Sequence, residues 1–346
     1  MSNANQFLGD SYALGLEIYS GLVGTAFRNN TVLFNMNPTA DAQSTPYPVM
    51  WQKTISRAVS EQFLMFNQYS DDPDEHTAGD ELEGQQWEVV QDTIALDEKP
   101  LKAHKSISER DLICAHFDVI QPLADQNGYA LANFWDKRLI RLGINAARSA
   151  SLTSNGMTIH GGGNRVRRVA ASFDAAYPVS STGASNFRDN AEALAEALDL
   201  QDVPHGQRLL LIEARLKRVL LQDTKIFDQM YSTQQQNSYN SRAIGEIAGF
   251  RVVQVNGRLP SANVLTGPTK YQGSYTVGTT YGQPAALALC GSAESKYAIG
   301  AVVAEGIKNV VDPSARKGDL MLISKLFMGA DIMHPFMAGV IDVNDA

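Results

Sequence analysis

The sequence predicts an α+β protein with mixed, largely antiparallel sheets, and three observations carry that reading. Short apolar runs of strand length occur early, at 59–66 and 87–96, and again late, at 285–290, 320–327 and 336–343. One long segment, 122–150, keeps a helical period throughout. Stretches rich in Gly, Ser and Thr, at 151–184 and 259–283, break the chain between them.

In chain order, residues 1–58 read as an N-terminal arm. Leu14, Leu16, Ile18 and Leu22 share their segment with Gly15, Gly21 and Gly24, which argue against a helix. The prolines of Ser44-Thr-Pro-Tyr-Pro48 then hold the chain extended. Such a segment buries little of its own apolar surface, so it is expected to pack on something else.

Residues 59–105 read as an extended hairpin that projects from the body. Between its strands lies Asp71-Asp-Pro-Asp-Glu-His-Thr-Ala-Gly-Asp-Glu-Leu-Glu83, with seven carboxylates. Asp72, Asp74 and His76 alternate as calcium ligands would. An EF-hand loop, however, needs Gly at its sixth position and Glu at its twelfth. Thr77 and Glu83 stand there, so the sharp turn lacks its glycine and a solvated charged tip is the better reading.

The helix at 122–150 buries Leu131, Trp135, Leu139, Leu142 and Ala146, at steps of four, four, three and four. Lys137, Arg138, Arg141 and Arg148 lie largely off that stripe. Pro122 and Asp125 suit a first turn. At about 1.5 Å per residue the helix would run close to 40 Å, a spine for other elements.

Residues 151–184 read as a flexible loop. Gly161-Gly-Gly163 followed by Arg165-Val-Arg-Arg168 could cradle a phosphate. The glycine-lysine order of a P-loop and the Gly-x-Gly-x-x-Gly fingerprint are both missing. Asn186 opens a short helix with Ala191, Leu194 and Leu198 on one face. Residues 208–212 form a buried-strand candidate, leading to a helix carrying Leu216, Val219 and Leu220. Residues 247–255 read as a further strand.

Composition bounds the function. The chain has 346 residues, 44% hydrophobic and 19% charged, an ordinary globular balance that excludes collagen, coiled coil and disorder. Its length suggests two domains or one large one. With 29 basic against 37 acidic side chains the net charge is -8, which argues against a dedicated nucleic-acid binder. Cys114 and Cys290 stand far apart, the pattern of a reduced intracellular protein. No signal peptide is expected from the first residues. The best apolar stretch, 298–307, is too short to span a bilayer and contains Glu305.

One enzymatic reading needs weighing. Gly9-Asp10-Ser11 and Asp331-Ile-Met-His334 resemble the end motifs of GDS-type (SGNH) serine esterases, which would make Ser11, Asp331 and His334 a triad. The family's Ser follows a buried first strand, and Asn3-Ala-Asn-Gln is a poor one. The Gly-x-Asn-Asp block that supplies an oxyanion donor is missing as well. His76, His104, His116, His160 and His205 form no HExxH pair, so no metal or cofactor is expected and the chain reads as a non-enzyme.

Three stretches carry a different resemblance. They are Asp111-Leu-Ile-Cys-Ala-His-Phe-Asp-Val119 entering the long helix, Gly245-Glu-Ile-Ala-Gly-Phe-Arg-Val-Val-Gln-Val255, and Met328-Gly-Ala-Asp with Met337-Ala-Gly-Val-Ile341. Together with the order arm, hairpin, spine and closing strands, they resemble the major capsid proteins of tailed bacteriophages. The Hong Kong 97-type fold is implied, most like that of T-seven-like short-tailed podoviruses. The resemblance implies an N-arm (1–58), an E-loop hairpin (59–105), a P domain with the spine helix and a Gly-rich insert (106–185), an A domain (186–318) and C-terminal P-domain strands (319–346).

It further implies a structural protein of the virion capsid. Copies would join as hexamers and pentamers into an icosahedral shell around double-stranded DNA, assembled in the host cytoplasm. Scaffolding, portal and decoration proteins are the implied partners, with weak DNA contact and no membrane. Asp71, Asp72, Asp74, Glu75, Asp80 and Glu81 at the hairpin tip are expected to meet basic groups of a neighbouring subunit, with Lys137, Arg138, Arg141 and Arg148 as candidate acceptors.

Overall fold

The computed structural model describes residues 18–33, 50–56, 58–66, 89–108, 120–154, 157–169, 181–205, 208–220, 246–255, 259, 275, 277, 283–291, 296–314 and 319–344. Four helices are used below: α1 (18–30), α2 (Ile120–Ala147), α3 (Ser181–Asp199) and α4 (Ala214–Leu220). The strands run β1 (Trp51–Ile55), β2 (Ser60–Phe66), β3 (Val89–Ala95), β4 (Leu101–Ser108), β5 (Leu152–Ser154), β6 (Met157–His160) and β7 (Asn164–Val169). They continue as β8 (Arg208–Glu213), β9 (Glu246–Ile247), β10 (Phe250–Val255), β11 (Gln283–Cys290), β12 (Ile299–Ser314), β13 (Asp319–Ile332) and β14 (Ala338–Asn344).

Two mixed sheets dominate. One has four strands in the order β1-β12-β13-β4, and the other six in the order β7-β14-β11-β8-β10-β9. The long closing hairpin β12–β13 pairs antiparallel from Ile299↔Ile332 to Ser314↔Asp319. Its register shifts between Ala304 and Ile307, where Gly306 takes a φ of 76°. The chain then crosses to the other sheet, where β14 lies between β7 and β11. The boundary expected at 318/319 therefore falls within one hairpin of paired strands.

Helix α2 ties the two sheets together. Leu131, Trp135, Leu139, Leu142 and Ala146 are all buried, as the period predicts. Ala132, Asp136, Ile140, Ile144 and Ala147 are buried as well, so the helix is enclosed on most of its circumference. Its first half meets α1 and the four-stranded sheet. Its second half meets the six-stranded sheet, where a Cβ on Gly143 would stand 3.0 Å from the side chains of both Leu287 and Leu289.

The segment around Ile18 and Leu22, expected as an extended arm, is helix α1 over 18–30. Its apolar face does not wait for another molecule, because Tyr19, Val23, Ala26 and Phe27 are buried against α2. A Cβ on Gly128 of α2 would come within 2.6 Å of Ala26 Cβ, so the two helices touch at backbone distance. Gly21 and Gly24 have nothing near them. They cost helix propensity on the open side and leave the packed side intact. Asp136, wholly buried, accepts from Thr31 Oγ1 (2.6 Å) and from the amides of Val32 (2.9 Å) and Leu33 (3.3 Å), fixing the chain as it leaves α1.

Residues 151–169, expected as flexible loop, instead form the hairpin β5–β6 and strand β7. The glycine run serves close packing here: a Cβ on Gly163 would stand 2.2 Å from the Ala146 carbonyl oxygen. Helix α3 begins at Ser181, earlier than Asn186. The strand expected at 247–255 is a tight hairpin, β9–β10, turning at Ala248 (φ 50°) and Gly249 (φ 77°), the paired left-handed residues of a two-residue turn.

Candidate assembly surfaces

The expected hairpin is present as β2–β3, paired antiparallel from Ser60↔Ala95 to Phe66↔Val89. Two strands alone are marginal in water, so the base must be held by the body. Ile94 packs with Ile55, Val302 and Met333. Gly300 and Gly329 make room for it. A Cβ at Gly329 would overlap the Ala95 carbonyl oxygen at 1.9 Å. Val59, just before β2, and Leu64 within it are exposed, at 74% and 55%.

Just past β3, Asp97 joins three elements. Its amide donates to the Met328 carbonyl at 2.9 Å, and its carboxylate receives Arg138 Nη1 of α2 at 2.5 Å. The Tyr275 hydroxyl donates to the same carboxylate at 3.0 Å, and the Arg138 guanidinium lies 4.9 Å from the Tyr275 ring. Burial pushes the Asp97 carboxyl up, and Arg138 and Tyr275 oppose that shift. Burial, together with the Asp97 charge, also pushes the Tyr275 hydroxyl up, so it stays a donor.

A second ionic group closes the far end of the spine. Asp342 of β14 is fully buried and receives Arg148 through Nε (3.2 Å) and Nη2 (2.6 Å), and Arg165 of β7 through Nε (2.6 Å). Arg138 and Arg148, two of the expected acceptors, thus have partners within their own chain. Lys137 and Arg141 are half-buried on α2. Asp71, Asp72, Asp74, Glu75, Asp80 and Glu81 lie outside the described residues. Sequence reasoning missed Asp97, Tyr275 and Asp342, and it read Arg165 only as part of a phosphate cradle. No local pattern links groups as distant in sequence as Asp97 and Tyr275.

The triad residues do not support hydrolysis. Ser11 lies outside the described residues, and the Asp331 carboxylate accepts from the Ile332 amide at 2.8 Å. Burial lowers the His334 imidazole to about 4, with the His160 and Lys296 charges adding to the effect. Cys290 is buried, and its thiol is pushed up to about 12. Among the described residues, no cluster of metal-ligating side chains occurs and no helix is long and apolar enough to cross a membrane.

The described frame is thus a hairpin whose base packs on the body through Ile94 and a spine helix shared by two sheets. The chain belongs to the Gp10A-like major capsid protein family, whose model matches residues 73–342. It is a structural capsid protein that self-assembles into a shell, and the esterase reading falls away.

Solved structures share the fold. The capsid of the cyanophage P-SCSP1u is 22% identical, with a TM-score of 0.68 over 86% of this chain and 87% of that one. The mature capsid of bacteriophage PhiM1 is 14% identical, with a TM-score of 0.66 over 90% and 91%. The capsid of Ralstonia phage GP4 is 12% identical, with a TM-score of 0.54 over 86% and 87%. The fold is therefore of the Hong Kong 97 type. Among curated proteins, none matches the sequence.

Proposed function

We propose that this chain forms hexamers and pentamers that close an icosahedral shell around the double-stranded DNA of a short-tailed phage, in the host cytoplasm. The family match over 73–342 carries the reading, because it runs from within the acidic tip through the spine to the closing strands. Scaffolding and portal proteins guide closure, and a decoration protein can bind the finished shell. The tip carboxylates between β2 and β3 meet basic groups of an adjacent subunit, setting register more than affinity. The net charge of -8 suits a container, since tight DNA binding would hinder loading and release.

Electron microscopy of the purified protein, alone and with its scaffolding protein, tests this. Closed uniform shells, or rings of five and six, are expected. A monodisperse monomer or dimer under both conditions would overturn the proposal.

A further inference from the structure

The six-stranded sheet is covered by α2 on one face and by α3 and α4 on the other. A Cβ on Gly339 of β14 would stand 2.7 Å from Leu194 of α3. Gly339 is paired with Ala288, whereas α2 meets Leu287 and Leu289, which alternate to the opposite side of β11. Helix α3 lies over β7 and β14, at one end of the sheet, and α4 over β8 and β10, toward the other.

The two helices differ in charge. On α3, Phe187, Ala191, Leu194 and Leu198 are buried, while Asp189, Glu192 and Glu196 are exposed at steps of three and four. Arg188 is shared between Asp189 (3.3 Å) and Glu192 (3.7 Å), so the stripe stays net negative. Leu200 continues it at the next step of four and is 80% exposed, the most exposed large hydrophobic among the described residues. On α4, Leu216 and Leu220 are buried, Arg218 is exposed and Lys217 is half-buried. Among the described residues, no ion pair links α3 to α4.

A single exposed leucine means little by itself. This one is held in place. Its amide donates to the Glu196 carbonyl at 3.0 Å, and the Val203 amide to that of Leu198 at 3.1 Å. Buried Arg208 ties the turn from beneath, donating to the Asp199 carboxylate (2.6 Å) and the Pro204 carbonyl (3.2 Å). Gln201 accepts from Asn164 of the edge strand β7 at 3.5 Å, which fixes the turn at that end of the sheet. A side chain presented this rigidly loses little entropy on docking. At the other end, β9 covers only Phe250 and Arg251 of β10, so half-buried Val252 stands beside α4 with no strand outside it among the described residues.

One end of the sheet is therefore acidic with a projecting leucine, and the other is basic with a partly covered valine. A chain of this kind satisfies both ends by head-to-tail contact with copies of itself, and such heterologous contacts close into rings. We infer that the Glu192–Glu196–Leu200 stripe of one copy docks on Lys217, Arg218 and Val252 of the next, and that this contact runs around each ring. The inference rests on the ring-and-shell reading above and names the two surfaces that meet. Charge pairing sets the direction of the ring, because two acidic ends or two basic ends repel.

The test is charge reversal in the full-length protein, read by electron microscopy and sedimentation, with circular dichroism and thermal melting to establish folding. Glu192→Lys with Glu196→Lys, and separately Lys217→Glu with Arg218→Glu, are each expected to cut shell yield by about ten-fold or more. All four substitutions in one chain are expected to restore closed shells. Leu200→Ser should lower yield with the melting temperature unchanged, since the side chain is exposed. Should a reversed pair fail to fold, Lys217→Gln with Arg218→Gln is expected to weaken assembly in the same direction.

Mixing the two reversed pairs gives the sharpest reading. Around a head-to-tail ring they fit only in alternation, which six positions allow and five do not. The mixture is expected to give rings of six, flat or tubular, without closed shells. Normal shells from every variant alone would overturn the inference. So would a loss that the fourfold variant does not rescue, or a mixture that closes normally or forms no rings. Failure of the unaltered protein to form rings would remove the shell-forming reading and this contact with it.

Discussion

Asp342→Ala tests whether the ionic group at the end of the spine holds the two halves of the molecule together. Asp342 is fully buried, and the side chains of its partners are nearly so: Arg148 is 4% exposed and Arg165 15%. Two of the three hydrogen bonds measure 2.6 Å, and Arg148 engages both carboxylate oxygens. Removing the carboxylate leaves two guanidinium groups close together with little access to water. Breaking a buried pair from one side costs about 3–5 kcal/mol, because the charge left behind loses its compensation. Mutual repulsion of the two arginines places this site toward the upper part of that range. The assay is urea denaturation of the unassembled subunit followed by tryptophan fluorescence, since Trp135 is buried on the same helix. A loss below about 1 kcal/mol, the scale of exposed pairs, would refute the argument.

Three further outcomes are expected. Gly128→Ala should destabilise the subunit by about 1–3 kcal/mol, because the added methyl meets α1 at backbone distance, whereas Gly21→Ala should stabilise it by up to about 1 kcal/mol; paired chemical denaturation checks both. His334 ionises at about 4 when folded against an ordinary 6.5, so the unfolded chain binds the extra proton between those values. Stability should therefore fall as pH drops from about 6.5 to 4, by on the order of 2 kcal/mol, and His334→Gln should flatten that slope in denaturation curves. Purified shells titrated with duplex DNA at moderate salt should bind weakly, and high affinity in a fluorescence titration would remove the container argument.

Legibility in the sequence followed the range of the interactions. The spine was readable because Leu131, Trp135, Leu139, Leu142 and Ala146 repeat within one helix. The hairpin was readable because β2 and β3 alternate with short periods. Helix α1 was hidden by Gly21 and Gly24, whose cost falls on an open face while Val23 and Phe27 pack inward. Strand β7 was hidden because its partner lies far along the chain: Asn164 pairs with Gly339. The glycines before it look like loop composition, yet Gly163 serves a close approach to Ala146. The same distance in sequence concealed Asp97 with Tyr275 and Asp342 with Arg148, while Arg138 and Arg148 read as charges off the buried stripe, open to a neighbour. The tip carboxylates were legible as a run of charge.

The position of β14 between β7 and β11 has a consequence for synthesis. Residues 164–169 emerge from the ribosome long before residues 339–344, the strand they pair with. At about 5–20 residues per second, the intervening stretch takes roughly 10–35 s to make. Throughout that interval β7 has no ladder to join, and Arg148 and Arg165 have no Asp342 to close on. A nascent chain is thus an unfinished building block, because β12 and β13, the central strands of the other sheet, also arrive late. Completion of both sheets therefore waits on the last strands of the chain.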